Sequence, residues 1–335
     1  MIQNLDCPIC DDIANLQIEK KVAAFRKEEF NGFSYFYKCS NCGQEFTTTE
    51  IDEVNVNQVY NQYRQLHNIP SALQIQKIRE RYNVSALKMS LLLGIGQNQY
   101  SLYESGEIPN ESNSQLISLI KNPKVFKEQL IKRKSLLAPK DFDKIFANLE
   151  QVILEEEKYQ NTIENKFFNS FSTPSEFTGF QVSSLPKFAN MVLYFLSSAF
   201  LVTRLNKFLF YADFLNFKSS GYSISGYNYA AITLGPVPQD YKTVYDLLEE
   251  QNFISTEPYE TSYDTSEKFV PLRDFDGSLF TSLELESLET VRQKLSALKT
   301  GEIINLSHEE IGWLENKDKK DLISYQKYAF LLKHF

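Results

Sequence analysis

Apolar positions recur at helical spacing in several stretches of the chain and cluster at strand-like spacing in two others. Ile75, Ile78 and Tyr82, with Arg79 among them, predict a first helix. Val84-Ser85 then supplies an N-cap for a second, Ala86 to Leu93, which Gly94 ends. Gly94-Ile95-Gly96 reads as a tight turn, and Gln97 to Glu104 as a short helix stopping near Ser105-Gly106. Farther on, Phe142, Ile145, Phe146, Leu149, Val152 and Ile153 predict a helix running to the acidic Glu155-Glu156-Glu157. Such a stripe is ordinary packing or a dimer seam. Phe208, Tyr211, Ala212 and Leu215 share a helical face that Leu209 and Phe210 widen, the pattern of a core helix, and Val244, Leu247 and Leu248 mark another. Strand-like stretches are Phe33-Ser34-Tyr35-Phe36-Tyr37 and Tyr229-Ala230-Ala231-Ile232-Thr233, the second entering a rigid turn at Gly235-Pro236-Val237-Pro238.

The cysteines change this picture most. All four lie in the first 42 residues as two pairs, Cys7-Pro8-Ile9-Cys10 and Cys39-Ser40-Asn41-Cys42, the second followed by Gly43. Each C-x-x-C is a turn that aims two thiolates at one point, and two such knuckles supply the tetrahedral sulfur set preferred by zinc. Gly43 suits the positive φ often needed after the turn. The 28 residues between the pairs hold the strand-like Phe33–Tyr37 stretch and read as the hairpin of a zinc ribbon. Free or disulfide-bonded cysteines are the alternative, one that a reducing compartment disfavours. Four Cys ligands leave no open coordination position, so the expected cofactor is one structural Zn2+ per chain.

Charge is distributed unevenly. Residues 1–74 carry about −4 and residues 141–335 about −10, while residues 75–140 carry about +6. A basic island in an acidic chain points to a local polyanion contact. It coincides with the helix, Gly-containing turn and second helix of residues 75–104, the layout of a helix-turn-helix. In that reading the polar start of the second helix enters the major groove, where Asn98 is the leading base reader, with Gln97 and Gln99 next and Ser101 beside them. Lys121 and Lys124, with Lys127, Lys132, Arg133 and Lys134, would reach phosphates.

Taken together, the paired cysteines and the run Leu93 to Gly106 resemble MqsA-type antitoxins, which join a zinc-binding N-terminal domain to an Xre-like helix-turn-helix. The resemblance covers roughly the first 135 residues. It implies that an Asn and an Arg of the recognition helix read bases. Asn98 matches the Asn, but Leu102 stands where the Arg is expected, and Ala86 replaces the Gln that commonly opens the second helix.

A second resemblance lies in the C-terminal half. Asn206 to Phe214, then Gly226-Tyr227-Asn228-Tyr229-Ala230-Ala231, then Leu234 to Tyr241 are similar to the SocA-like, or Panacea, domain, a likeness spanning about residues 185–335 with Gly312-Trp313 and Ser324-Tyr325 near its end. Members of that family act as antitoxins paired with unrelated toxins, one of them as a protease adaptor, so the resemblance implies protein binding. Asp213, Tyr229, Tyr241 and Tyr245 are the candidate partner contacts, with structural hydrogen bonding as the competing role.

Catalysis is not expected. Beyond the linker there is no cysteine, and the histidines are His308 and His334. His308, before Glu309-Glu310, reads as an exposed position at a helix start. The glycines at 94 and 96 sit between helices rather than after a strand, so they are not a phosphate loop.

The expected fold is multidomain and mainly α with small β elements: a zinc ribbon over 1–54, an Xre-type helix-turn-helix over 73–137, a helical linker over 138–178 whose Asn169 to Ser175 has linker composition, and a mostly helical α+β SocA-like domain over 179–335. The expected function is a type II antitoxin that neutralises a cognate toxin and represses its own operon as a homodimer on double-stranded DNA. The alternatives are a zinc-ribbon regulator of a mobile element with a ligand- or protein-sensing C-terminal domain, or a protease adaptor. The longest apolar run, Met191 to Val202, is too short to span a bilayer and the first residues lack a signal pattern, so no membrane contact and a cytoplasmic location are expected.

Overall fold

A computed structural model describes residues 2–159, 173–198, 200–260 and 265–335. The chain forms two compact units, residues 1–59 together with 171–335, and residues 60–170. Residues 160–172 of the expected linker, and Ala199 within the longest apolar run, lie outside the described residues. No helix among the described residues is long and apolar enough to cross a membrane.

The first unit opens with strands β1 (Asn4–Asp6), β2 (Ile13–Phe25), β3 (Glu28–Cys39) and β4 (Glu45–Phe46), an antiparallel sheet in that order. β2 and β3 are joined by Arg26-Lys27, both at positive φ, the two-residue turn whose twist matches the strands it connects. Among the described residues only the cysteine end of this hairpin is flanked by strands, since β1 pairs with Ile13–Asn15 and β4 with Tyr37–Lys38. Helix α1 (Thr49–Leu66) follows, and its residues up to 59 belong with the sheet. Two of its side-chain amides cover the outer edge of β3. Asn55 exchanges two hydrogen bonds with the Tyr35 backbone, both at 2.9 Å, and Gln58 does the same with Phe33.

The second unit is helical. It takes the end of α1 and then α2 (Ala72–Arg81), α3 (Ala86–Leu93), α4 (Gln99–Glu104), α5 (Glu111–Leu119), α6 (Pro123–Lys132) and α7 (Pro139–Tyr159). Its core gathers Ile75, Tyr82, Met89, Leu92, Tyr100, Ile117, Phe126 and Leu130 with Phe142, Ile145 and Leu149. The stripe on α7 is therefore buried within the chain. Ordinary packing, rather than a seam between two copies, accounts for it.

The rest of the first unit comprises α8 (Leu185–Leu196), α9 (Val202–Ser220), strands β5 (Tyr229–Ile232) and β6 (Gly235–Pro238), α10 (Tyr241–Glu250), strands β7 (Ile254–Glu260) and β8 (Thr265–Pro271), then α11 (Ser282–Ser296), α12 (Thr300–His308), α13 (Ile311–Leu314) and α14 (Tyr325–Tyr328). Helix α9 is buried all round from Leu205 to Phe214, so its polar side chains must find partners inside. Residues 235–238, expected as a turn, form a strand paired with β5, because the chain reverses at Thr233-Leu234 and Gly235 leaves the turn at φ +96°. His308 also departs from expectation. It ends α12 rather than starting a helix, and it stacks on Trp313 with ring centroids 3.9 Å apart.

The hairpin is joined to this helical region by aromatic rings. Phe33 stacks on Phe330 at 5.0 Å, Phe330 meets Phe217 of α9 at 5.8 Å, and Phe217 meets Tyr325 at 5.5 Å. Asn57 Nδ2 adds a hydrogen bond to the Ser220 carbonyl and Gln326 Nε2 one to Gln58 Oε1. The sheet expected as a free-standing N-terminal domain thus packs with the C-terminal region in one unit.

Candidate functional site

The cysteine cluster sits where β1–β2 and β3–β4 turn. Its four sulfurs lie within 4.8 Å of one another, a set that could hold a metal ion. Cys7 and Cys42 sulfurs are 3.6 Å apart and those of Cys10 and Cys39 are 3.5 Å apart, far beyond the roughly 2 Å of a disulfide. Backbone N–H groups of Cys42 and Asn41 point at the Cys39 sulfur, and they pull its pKa down to about 6, the Cys42 N–H contributing most. Gly43 adopts the expected positive φ, +72°. The clustering expected from the sequence is present, because the two thiols of each pair are neighbours along the chain.

In the helical unit, Ser85 caps α3 by accepting from the Lys88 N–H at 3.3 Å, and Gly94 ends that helix at φ +72°. Helix α4 starts at Gln99, two residues later than expected, with Gln97 and Asn98 in the preceding turn. Gln97, Asn98 and Ser101 are exposed and Gln99 half-buried, while Tyr100 is fully buried, with its hydroxyl on the Ile75 carbonyl at 2.8 Å and its N–H on Ser90 Oγ at 3.1 Å. One aromatic anchor thus leaves the polar flank of α4 facing solvent. Arg79 Nε meets Glu104 Oε1 at 2.5 Å and ties α2 to the other end of α4.

Of the basic side chains expected to reach phosphates, Lys121 and Lys124 are exposed. Others make contacts within the unit, Lys134 with its Nζ 4.5 Å from the centre of the Phe142 ring. Lys127 pairs with Glu150 of α7. Arg133 lies against Gly94, where a Cβ would come within 2.6 Å of its guanidinium, and it donates to the Leu91 carbonyl at 3.2 Å. Arg133 therefore closes the C-terminal end of α3, a role its place in a basic run conceals.

The C-terminal candidates separate into buried and accessible residues. Asp213 and Tyr229 are fully buried and cannot meet a partner across a surface. The Asp213 carboxylate accepts from the backbone N–H groups of Ile224 and Ser225, each at 2.8 Å, from Ser225 Oγ at 2.6 Å and from the Tyr229 hydroxyl at 2.8 Å. Burial pushes its pKa up, and these four donors work against that. The network fixes the Ser223–Tyr227 loop between α9 and β5. Tyr245 is also buried and donates to Asn206 at 2.6 Å. Asp213 and Asn206 both lie on α9, and a helix surrounded on every side spends its polar side chains on its own neighbours, here the hydroxyls of Tyr229 and Tyr245.

Lys207 carries the same point further. It is fully buried, its Nζ donates to the Pro236 carbonyl at 3.0 Å, and burial pulls its pKa down to about 7. Nothing in the one-dimensional pattern distinguishes it from a surface lysine. Tyr241, in contrast, borders an open cleft of about 790 Å3 with Leu201, Leu234, Ile304, Asp246 and Glu249. The cleft combines aliphatic walls with two carboxylates, and of the four candidates Tyr241 and Tyr245 line it.

Residues 205–314 match the family described as antitoxin SocA-like, Panacea domain. The Panacea match is narrower than the expected 185–335. It begins within α9, takes in Lys207, Asp213, the β5–β6 hairpin and most of the cleft, and ends with α13. No curated protein and no solved structure matches the chain. The cysteine-bearing sheet, the helical unit and the closing segment with Tyr325 and Phe330 lie outside the Panacea match.

Proposed function

We propose that this chain is an antitoxin that neutralises a protein toxin through its C-terminal region and represses its own operon through the helical unit. The observation that carries the reading is the Panacea match over residues 205–314, which by its description is an antitoxin domain. The cleft beside Tyr241, whose lining mixes apolar side chains with Lys242, Asp246 and Glu249, supports protein recognition at this region. The buried Asp213 and Lys207 serve as the scaffold of that surface.

The reading extends to the other sites. The four cysteines hold zinc: sulfurs around a tetrahedral zinc stand about 3.8 Å apart for Zn–S bonds of about 2.3 Å, and the closest pairs here are at 3.5 and 3.6 Å. When bound, the ion supplies cross-linking and no open coordination position, and the backbone N–H groups around Cys39 favour the thiolate it needs. The chain is not assigned a catalytic step. Exposed Gln97, Asn98 and Ser101 beside the buried Tyr100 support base reading by α4, with Lys121 and Lys124 on phosphates. A repressor of its own operon acts in the cytoplasm, and that is the location this reading implies.

Co-expression with the product of the neighbouring gene, followed by affinity purification of the tagged chain, tests the proposal. Rescue of growth with a co-purifying toxic protein supports it, and absence of both defeats it. The cleft also favours a second reading, a regulator whose C-terminal region senses a small ligand, since about 790 Å3 is ordinary for a ligand site. A ligand that shifts operator affinity without any protein partner would favour that alternative.

A further inference from the structure

The two long edges of the β2–β3 hairpin are treated differently. On the β3 side, Phe33 and Tyr35 turn their N–H and C=O groups outward, where Gln58 and Asn55 satisfy them. Phe33 is opposite Lys20 and Tyr35 opposite Ile18, so those pairs exchange no bonds across the ladder. By the same alternation Ile18, Lys20 and Val22 turn their backbone groups away from β3, as Leu16 does when its N–H donates to the Gln3 carbonyl at 2.9 Å. β1 covers the edge only as far as this point, and among the described residues no strand pairs with β2 beyond it. Ile18 and Val22 are 43% and 56% exposed on this bare stretch, and Glu19, Lys20 and Lys21 are exposed with them.

We propose that this edge of β2 is an interface for a second copy of the chain, the two strands pairing antiparallel about a two-fold axis through Lys20. The sequence of the edge selects both the partner and the register. With Lys20 opposite its symmetry mate, Ile18 falls opposite Val22 of the second copy, and Glu19 opposite Lys21, each pair occurring twice. Moving the register by two residues in either direction places Glu19 opposite Glu19 or Lys21 opposite Lys21. The chosen register forms about six backbone hydrogen bonds from groups now facing water. Its one adverse feature is the central Lys20 pair, and each Lys20 is near Glu315 of its own chain, whose carboxyl it helps hold below the usual range. The same surface without a partner would be an edge guarded by its two lysines, a common defence against unwanted pairing.

The test is the association state of the full-length, zinc-loaded chain by sedimentation equilibrium over a range of concentrations. The wild type is expected to be dimeric. Val22→Pro removes an outward N–H without touching the ladder to β3 and should weaken the dimer by at least about tenfold. Glu19→Lys and Lys21→Glu should each weaken it by roughly tenfold, and the double variant, which swaps the charges, should restore it. A monomeric wild type overturns the proposal, as does a dimer indifferent to Val22→Pro and to the charge variants, which would locate association elsewhere. Far-ultraviolet circular dichroism and zinc content confirm that each variant is folded, and growth rescue by the monomeric variants separates this proposal from the toxin-neutralising one.

Discussion

The side chain of Gln58 takes the place of a missing strand beside Phe33: its Oε1 accepts from the Phe33 N–H at 2.9 Å, and its Nε2 donates to the Phe33 carbonyl at 2.8 Å. Gln58 is 1% exposed, so water cannot easily replace it. Gln58→Leu would preserve bulk and leave both backbone groups of Phe33 without these bonds. The expected cost is about 2–4 kcal/mol, measured by urea unfolding, with faster hydrogen exchange at the Phe33 amide. Unchanged exchange there would show that the amide is not what protects the edge.

Removing one cysteine from the cluster should act beyond the turns that carry it. Cys39→Ser is expected to lower bound zinc, read by mass spectrometry, and to loosen the hairpin, because β3 runs directly from Cys39 to the Phe33 that stacks on Phe330. Hydrogen exchange should rise in β1, β2 and β3 and leave the core of residues 75–149 unchanged. Zinc content equal to wild type would contradict the ligand assignment.

Asp213 tests the role of the buried network. Asp213→Asn keeps the shape but sets an NH2 group among four donors, and should destabilise the protein by about 2–4 kcal/mol in chemical denaturation. Tyr229→Phe removes only one of those donors, with an expected loss of about 1 kcal/mol. If both variants keep full stability and instead lose toxin binding, the network is part of the interface after all.

Lys207 gives a pH signature. Its pKa is about 7 in the folded protein and 10.5 in the unfolded chain, so between these values the unfolded state binds more protons. Stability contributed through this group therefore rises as pH increases from about 7 towards 10.5 and is lost below it. Lys207→Met removes the penalty of burying a charge and should flatten that slope, the difference reaching on the order of 5 kcal/mol at neutral pH and below. Parallel stability–pH curves for the two proteins would refute a suppressed pKa.

At the helical unit, Asn98→Ala is expected to weaken specific operator binding by about 1–3 kcal/mol in a fluorescence-anisotropy titration while leaving affinity for random DNA unchanged. Equal losses on both would mean that Asn98 contacts no base.

Features that depend on residues near one another in the chain were legible in advance. The C-x-x-C pairs, the Ser85 cap, the stop at Gly94 and the helical spacing of Phe142 to Ile153 are set by local geometry, and the structure forms each where the pattern places it. Errors arose where a local signal had two outcomes. Gly-Pro-Val-Pro serves a turn or an edge strand, and its neighbours decided for a strand; His308 before two glutamates suits either end of a helix, and stacking on Trp313 accompanies the C-terminal end.

The sequence by itself determined the four-cysteine cluster, the end of α3 at Gly94 and the polar flank of α4, because spacing along the backbone dictates them. Only the tertiary structure decided that residues 1–59 share a unit with 171–335, that Arg133 closes a helix, and that Asp213, Tyr229 and Lys207 lie inside. Each of these rests on contacts between residues distant in the chain. Whether a polar side chain meets solvent or a neighbour follows from what packs around its helix, and no periodicity within that helix records it.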